Sequence, residues 1–127
     1  MSWEYFSFDE MKCKCGCNKA DMDPVFMSKL QALRKSLGFA LPITSGYRCG
    51  NYNQEVSSTG IKGPHSLGRA VDIAVSGLEA YKLLQYAASF QFQGLGVKQS
   101  GPNNSRYIHL DDLIEKDGYI RPTVWSY

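Results

Sequence analysis

Two histidines and an aspartate stand out among the 127 residues as side chains that could share one metal ion. His65 sits in the glycine-rich stretch Gly63-Pro64-His65-Ser66-Leu67-Gly68, and Asp72 follows seven residues later inside the apolar run Ala70-Val71-Asp72-Ile73-Ala74-Val75. The chain's other histidine, His109, lies in Tyr107-Ile108-His109-Leu110-Asp111. Imidazole and carboxylate are ordinary zinc ligands, and three of them leave a fourth position for water, which separates catalytic zinc sites from closed structural ones. Spacing alone keeps a second reading open. Asp72 could cap a turn or pair with Arg48 or Arg69, and each histidine could be partly buried with no metal near it.

Both segments alternate as half-buried strands do. Val71, Ile73 and Val75 fall on one side and Ala70, Asp72 and Ala74 on the other, while Ile108 and Leu110 oppose Tyr107, His109 and Asp111. A carboxylate in so apolar a strand is costly to bury unless a cation or strong donors meet it, and the flanking alanines leave room for such a partner. Arg48, in the turn Ser45-Gly46-Tyr47-Arg48-Cys49-Gly50, offers a planar fork suited to a carboxylate or a developing oxyanion.

The elements that must hold these groups can be traced in order. Ser7-Phe8-Asp9-Glu10 has the form of a capping box, predicting a short helix that carries Phe8 and Met11 inward. Asp23-Pro24 opens a longer helix whose Phe26, Leu30, Leu33 and Leu37 recur at helical spacing up to Gly38. Leu41 to Thr44 reads as a short strand, Asn51 to Val56 as a helical turn, and Ser57 to Gly63 as a polar loop. After the strand Val71 to Val75, Ser76-Gly77-Leu78-Glu79 predicts another capping box and a helix to about Phe90, with Leu78, Tyr81, Leu84 and Ala88 along its inner stripe. Gly94 to Val97 and Tyr107 to Leu110 then read as strands joined by a hairpin-type loop. This order predicts one α+β domain over 1–127, an antiparallel sheet with helices packed on one face. The other face, bearing Asp72 and His109, becomes a cleft floor.

Length allows a single core. A net charge of +2, with no basic run or interleaved aromatic stripe, argues against nucleic acid as a partner. Met1 to Phe6 lacks a basic start followed by an apolar run, and no stretch approaches a membrane span, so a chain made without a signal peptide and not inserted in a membrane is expected. Three states remain open for Cys13, Cys15, Cys17 and Cys49: reduced thiols, a disulfide from Cys49 to one of the others, or a second structural zinc. None is taken as a nucleophile, because no third histidine is available to activate it.

The series Ser45-Gly46-Tyr47-Arg48, His65-x-x-Gly68-x-Ala70-x-Asp72 and Ile108-His109-Leu110-Asp111 closely resembles the zinc peptidases of the M15 family. These include D-alanyl-D-alanine carboxypeptidases and phage peptidoglycan endopeptidases. The likeness runs from about Phe6 to the end, taking in the cysteine cluster and the closing Arg121-Pro122-x-x-Trp125-x-Tyr127. It implies zinc held by His65, Asp72 and His109, and an Arg48 that binds a substrate carboxylate or steadies the tetrahedral intermediate. It also implies the small fold shared with the hedgehog signalling domain.

Two positions depart from the family. Gly63 stands where relatives often have serine, which would alter only the turn. Arg106 stands where several have an acid that serves as base, and arginine cannot take a proton. Strand parity offers Asp111 instead, either as proton acceptor or as holder of an imidazole N–H, with Glu55, Asp112 and Tyr107 as further candidates. The expected activity is hydrolysis of peptide bonds in bacterial peptidoglycan stems by a monomer, as a carboxypeptidase or an endolysin-like endopeptidase reaching the wall after phage-mediated release. The alternative is a zinc-containing wall-binding module without catalysis.

Overall fold

The computed structural model describes residues 2–127. The first two helices begin as the sequence predicts, and the strand after them starts two residues later than expected. Helix α1 (Phe8–Met11) starts in a complete capping box between Ser7 and Glu10. Helix α2 (Pro24–Leu37) starts with the Asp23 carboxylate accepting the Phe26 N–H and ends at Gly38 in the left-handed conformation. Strand β1 (Ile43–Ser45) follows. Helix α3 (Gly50–Val56) leads through the polar loop to β2 (Ala70–Ile73), and α4 (Gly77–Ala87) precedes β3 (Gly94–Lys98) and β4 (Tyr107–Asp111). A final strand, β5 (Thr123–Ser126), was not foreseen.

The sheet runs in the order β1-β2-β4-β3-β5. All pairs are antiparallel except β3 with β5, which is parallel. The sheet is therefore mostly antiparallel, with one parallel edge strand. Its pairing lines up a single row across the strands: Ser45 opposite Asp72, Asp72 opposite His109, His109 opposite Gly96, and Gly96 opposite Trp125.

The reverse face carries the core. Val71, Ile73, Ile108 and Leu110 meet Phe26, Met27, Leu30 and Leu33 of α2 and Ala80, Leu83 and Ala87 of α4, and Phe26 lies edge-on to Phe92 with ring centres 5.6 Å apart. Each fully buried Leu, Ile or Phe is worth about 2 kcal/mol relative to exposure, so these side chains fix which face is inside.

Three local expectations fail. Leu78, Tyr81 and Ala88 are exposed; α4 instead turns Ala80, Leu83 and Ala87 inward, with Leu84 partly buried, because small residues let the helix come close to its neighbours. The Ser76 side chain makes no cap hydrogen bond, and a 3-10 turn at Ala88–Phe90 replaces the last helical turn. Phe8 lies at the surface, lining a hollow with Trp3 and Met22, while Met11 is buried as expected.

A charged lock closes one end of the sheet. Asp112 is nearly buried and accepts from Arg69 Nε at 2.8 Å, with Lys29 of α2 at 3.5 Å; Arg69 also reaches Asp117 at 3.1 Å. This ties the start of β2, the end of β4 and α2 together.

Candidate active site

Alternation in β2 and β4 sends Asp72 and His109 to the same face, and their direct pairing brings them together. His65 arrives from the loop before β2. Its Nε2 lies 3.3 Å from Asp72 Oδ1, and His109 Nδ1 lies 3.1 Å from the same oxygen. One donor atom from each of the three residues falls within 4.8 Å of the others. Both imidazoles are nearly buried, and their rings meet edge to face at 5.2 Å.

The hydrogen bonds on the far side of each ring decide what the near side offers. His65 Nδ1 is 2.8 Å from the Gly46 carbonyl, so it carries the proton and Nε2 turns a lone pair inward. His109 Nε2 donates to Asp111 Oδ2 at 2.7 Å, which leaves Nδ1 as the inward lone pair. Two imidazole nitrogens and a carboxylate oxygen thus converge with their free electron pairs on one point, a donor set that suits a divalent cation such as zinc.

Asp111 stands behind His109 and not in the cleft. It is fully buried, and Arg121 grips it with two bonds, Nε to Oδ1 at 2.9 Å and Nη2 to Oδ2 at 2.8 Å. Burial would raise its pKa, but the bonds from His109 and Arg121 outweigh that and hold it below the ordinary carboxylate range. Burial would likewise raise Asp72, yet the two histidines beside it hold it well below that range. For His109 burial works downward, and the bonds to Asp111 and Asp72 prevail and raise its pKa, so a cation bound at Nδ1 takes the place of a proton shared with Asp72.

Arg48 stands at the rim, its Nη2 3.5 Å from Asp72 Oδ2. Ser45 Oγ accepts from its Nε at 3.1 Å and Asn53 Oδ1 from its Nη1 at 3.3 Å. The buried Asn53 amide also holds Thr59 and Gly60, which orders the loop on that side of the cleft. Gly63 proves to be more than a variant turn residue, since a Cβ there would lie 2.1 Å from Thr59 Oγ1 and 2.6 Å from Asn53 Nδ2.

The cleft around this cluster holds about 390 Å³. Tyr107, Tyr119, Trp125 and Tyr127 wall one side, and the Trp125 ring lies 5.1 Å from the His109 ring. Two glycines make this possible. A Cβ on Gly96 would lie 2.7 Å from the Trp125 ring, and one on Gly94 would lie 2.2 Å from the Asp111 carboxylate. Burial, with the Asp72 charge adding to it, pushes the Tyr127 phenol up to about 12 despite a lowering contact from Trp125, and burial also raises Tyr107 and Tyr119. These phenols keep their protons at neutral pH, and Tyr119 donates its own to the Lys62 carbonyl at 3.0 Å.

Among the residues that line the cleft, Asp72 is the one carboxylate. Glu55 is exposed on α3 and Asp112 is taken up by Arg69, so neither reaches it, while Tyr107 does. Arg106 bonds to the Gly101 carbonyl. Sequence reasoning gave no role to Arg121, Trp125, Tyr127, Tyr119 or Asn53. The alternation of Trp125 and Tyr127 with Val124 and Ser126 was the signal that could have exposed β5.

The sequence profile described as Peptidase M15 matches residues 4–111, well over half of the chain and all of the elements that supply His65, Asp72 and His109. No curated protein matches the chain. Convergent ligands on the paired strands and the extent of that match agree: the chain belongs to the M15 peptidase family.

Proposed function

We propose that the protein is a zinc-dependent peptidase that hydrolyses peptide bonds in the stem peptides of bacterial peptidoglycan. The observation that carries this reading is the convergence of His65 Nε2, Asp72 Oδ1 and His109 Nδ1 at the floor of an open cleft, with each imidazole's outer N–H already engaged. Zinc held there would supply Lewis acidity to a carbonyl and lower the pKa of water to about 7.

The chain's own residues supply binding and orientation. Arg48, oriented at the rim by Ser45 and Asn53, turns its Nη2 toward the cluster, where it would meet a substrate carboxylate or the oxygen on which negative charge develops. Asp111 positions His109 and does not exchange a proton with substrate, because both its oxygens are already bound. The protonated phenols of Tyr107 and Tyr127 donate toward substrate. The aromatic wall shields the cluster on the β5 side. Release of a small lysin of this kind through a phage-damaged membrane would bring it to the wall; among the described residues no helix is long and apolar enough to cross one.

One observation favours the second reading, a wall-binding module without turnover: among the described residues no carboxylate besides Asp72 lines the cleft to serve as base. A metal that acidifies water weakens the need for such a base, so hydrolysis is the reading adopted. Zinc-loaded protein is incubated with cross-linked muropeptides and the products are identified by mass spectrometry. New amine termini or released D-alanine are expected with wild type and not with His65→Ala. Binding without cleavage at any pH, with zinc occupancy verified, establishes the second reading instead.

A further inference from the structure

We propose that Cys13, Cys15, Cys17 and Cys49 together hold a structural zinc ion, as four thiolates, that clamps the loop after α1 to the turn carrying Arg48. This site is separate from the histidine cluster and does not depend on the peptidase reading.

The four sulfurs converge although they come from two distant parts of the chain. All lie within 4.8 Å of one another, with Cys13 and Cys15 at 3.4 Å and Cys15 and Cys49 at 3.6 Å. A tetrahedron of sulfurs each about 2.3 Å from zinc has edges of about 3.8 Å, so the cluster already has nearly the required size. A single disulfide would use two of these sulfurs and leave no reason for the other two to be gathered.

The surrounding backbone is built around that cluster. Residues 14–19 are all exposed and form no helix or strand, so apolar burial does not hold them. The loop nevertheless closes on itself, with the Cys13 N–H donating to the Lys19 carbonyl at 2.8 Å. Gly16 at φ +96° and Asn18 at φ 59° curl it tightly. A Cβ on Gly16 would meet nothing, so the left-handed backbone, not space, calls for glycine there. The Cys49 N–H donates to Cys13 Sγ at 3.3 Å, a bond that favours the thiolate form. Four thiolates and one Zn²⁺ carry a net negative charge, and Lys12 and Lys14 flank Cys13 in the sequence. Soft thiolate ligands select zinc over harder cations.

The clamp has a consequence for the cleft. Cys49 is the neighbour of Arg48, and the Tyr47 N–H already bonds the Met11 carbonyl at 2.8 Å. Together with the Cys49 N–H bond to Cys13 Sγ, zinc would add a further tie between the same two segments and hold the arginine's backbone in place.

Wild-type protein is purified without added metal and titrated with an organomercurial while released zinc is followed with a dye. About one equivalent released, with X-ray absorption of the double variant His65→Ala/His109→Ala showing sulfur neighbours at about 2.3 Å, is the expected result. Cys15→Ser/Cys17→Ser in that background should abolish the remaining zinc. Zinc bound only by nitrogen and oxygen, no mercurial-releasable zinc, or a mass lower by two hydrogens that marks a disulfide would overturn the proposal. None of these results bears on the histidine site, whose zinc is read from Cys15→Ser/Cys17→Ser with both histidines intact.

Discussion

Asp111 and His109 sit two residues apart on one strand, yet only His109 faces the cleft opening; Asp111 lies behind it and accepts its Nε2 proton at 2.7 Å. A carboxylate so placed raises the ligand basicity of the imidazole and fixes its orientation. Asp111→Asn is therefore expected to weaken zinc affinity by about 10–100-fold. Competition against a chelating dye measures this directly, and an unchanged affinity would remove Asp111 from the positioning role.

Arg121 neutralises that buried carboxylate. Its loss leaves Asp111 charged and enclosed with only His109 and the Leu113 N–H beside it, so Arg121→Gln should cost about 3 kcal/mol of stability. Urea unfolding of the two proteins gives the difference. A change within error would mean that water reaches the carboxylate.

Gly96→Ala tests the row across the sheet. The added methyl meets the Trp125 ring, and overpacking of this kind costs about 1–3 kcal/mol. In a Trp3→Phe background the remaining tryptophan should shift its emission as it leaves His109, whereas an alanine at Gly38, where a Cβ meets nothing, should leave the emission as it was.

Arg48→Ala should keep zinc content and fold while lowering kcat/KM by on the order of 10²–10³-fold, the usual loss on removing a donor to developing charge. Steady-state kinetics on a defined muropeptide supply the value. An increase in KM alone would assign Arg48 to anchoring the substrate carboxylate.

Asp117 supplies a pH-dependent contribution. A bond from the Ile114 N–H, then the Arg69 guanidinium, outweighs the effect of burial and lowers its pKa from the ordinary 3.8. Its stabilisation is thus present above that value and lost as pH falls through the lower folded one. The stability gap between wild type and Asp117→Asn should be within about 1 kcal/mol at neutral pH and close below about pH 4. Urea midpoints across that range check the sign, and a gap that widens in acid would reverse it.

The amino-acid sequence by itself determined that β2 and β4 each have an apolar and a polar face, because a period of two assigns sides without reference to any partner. That put Asp72 and His109 on polar faces, residue type added His65 to the set, and caps placed α1 and α2. It left open how strands pair and which helix stripe turns inward. Leu78 and Tyr81 have the right spacing for an inner stripe, but Ala80 and Ala87 won because close approach is a property of two packed surfaces. The grip of Arg121 on Asp111, the gaps left by Gly94 and Gly96, and the Trp125 ring over His109 exist only once the parallel edge strand is in place. Those contacts join residues far apart in the chain, and local patterns carry no record of the distances between them.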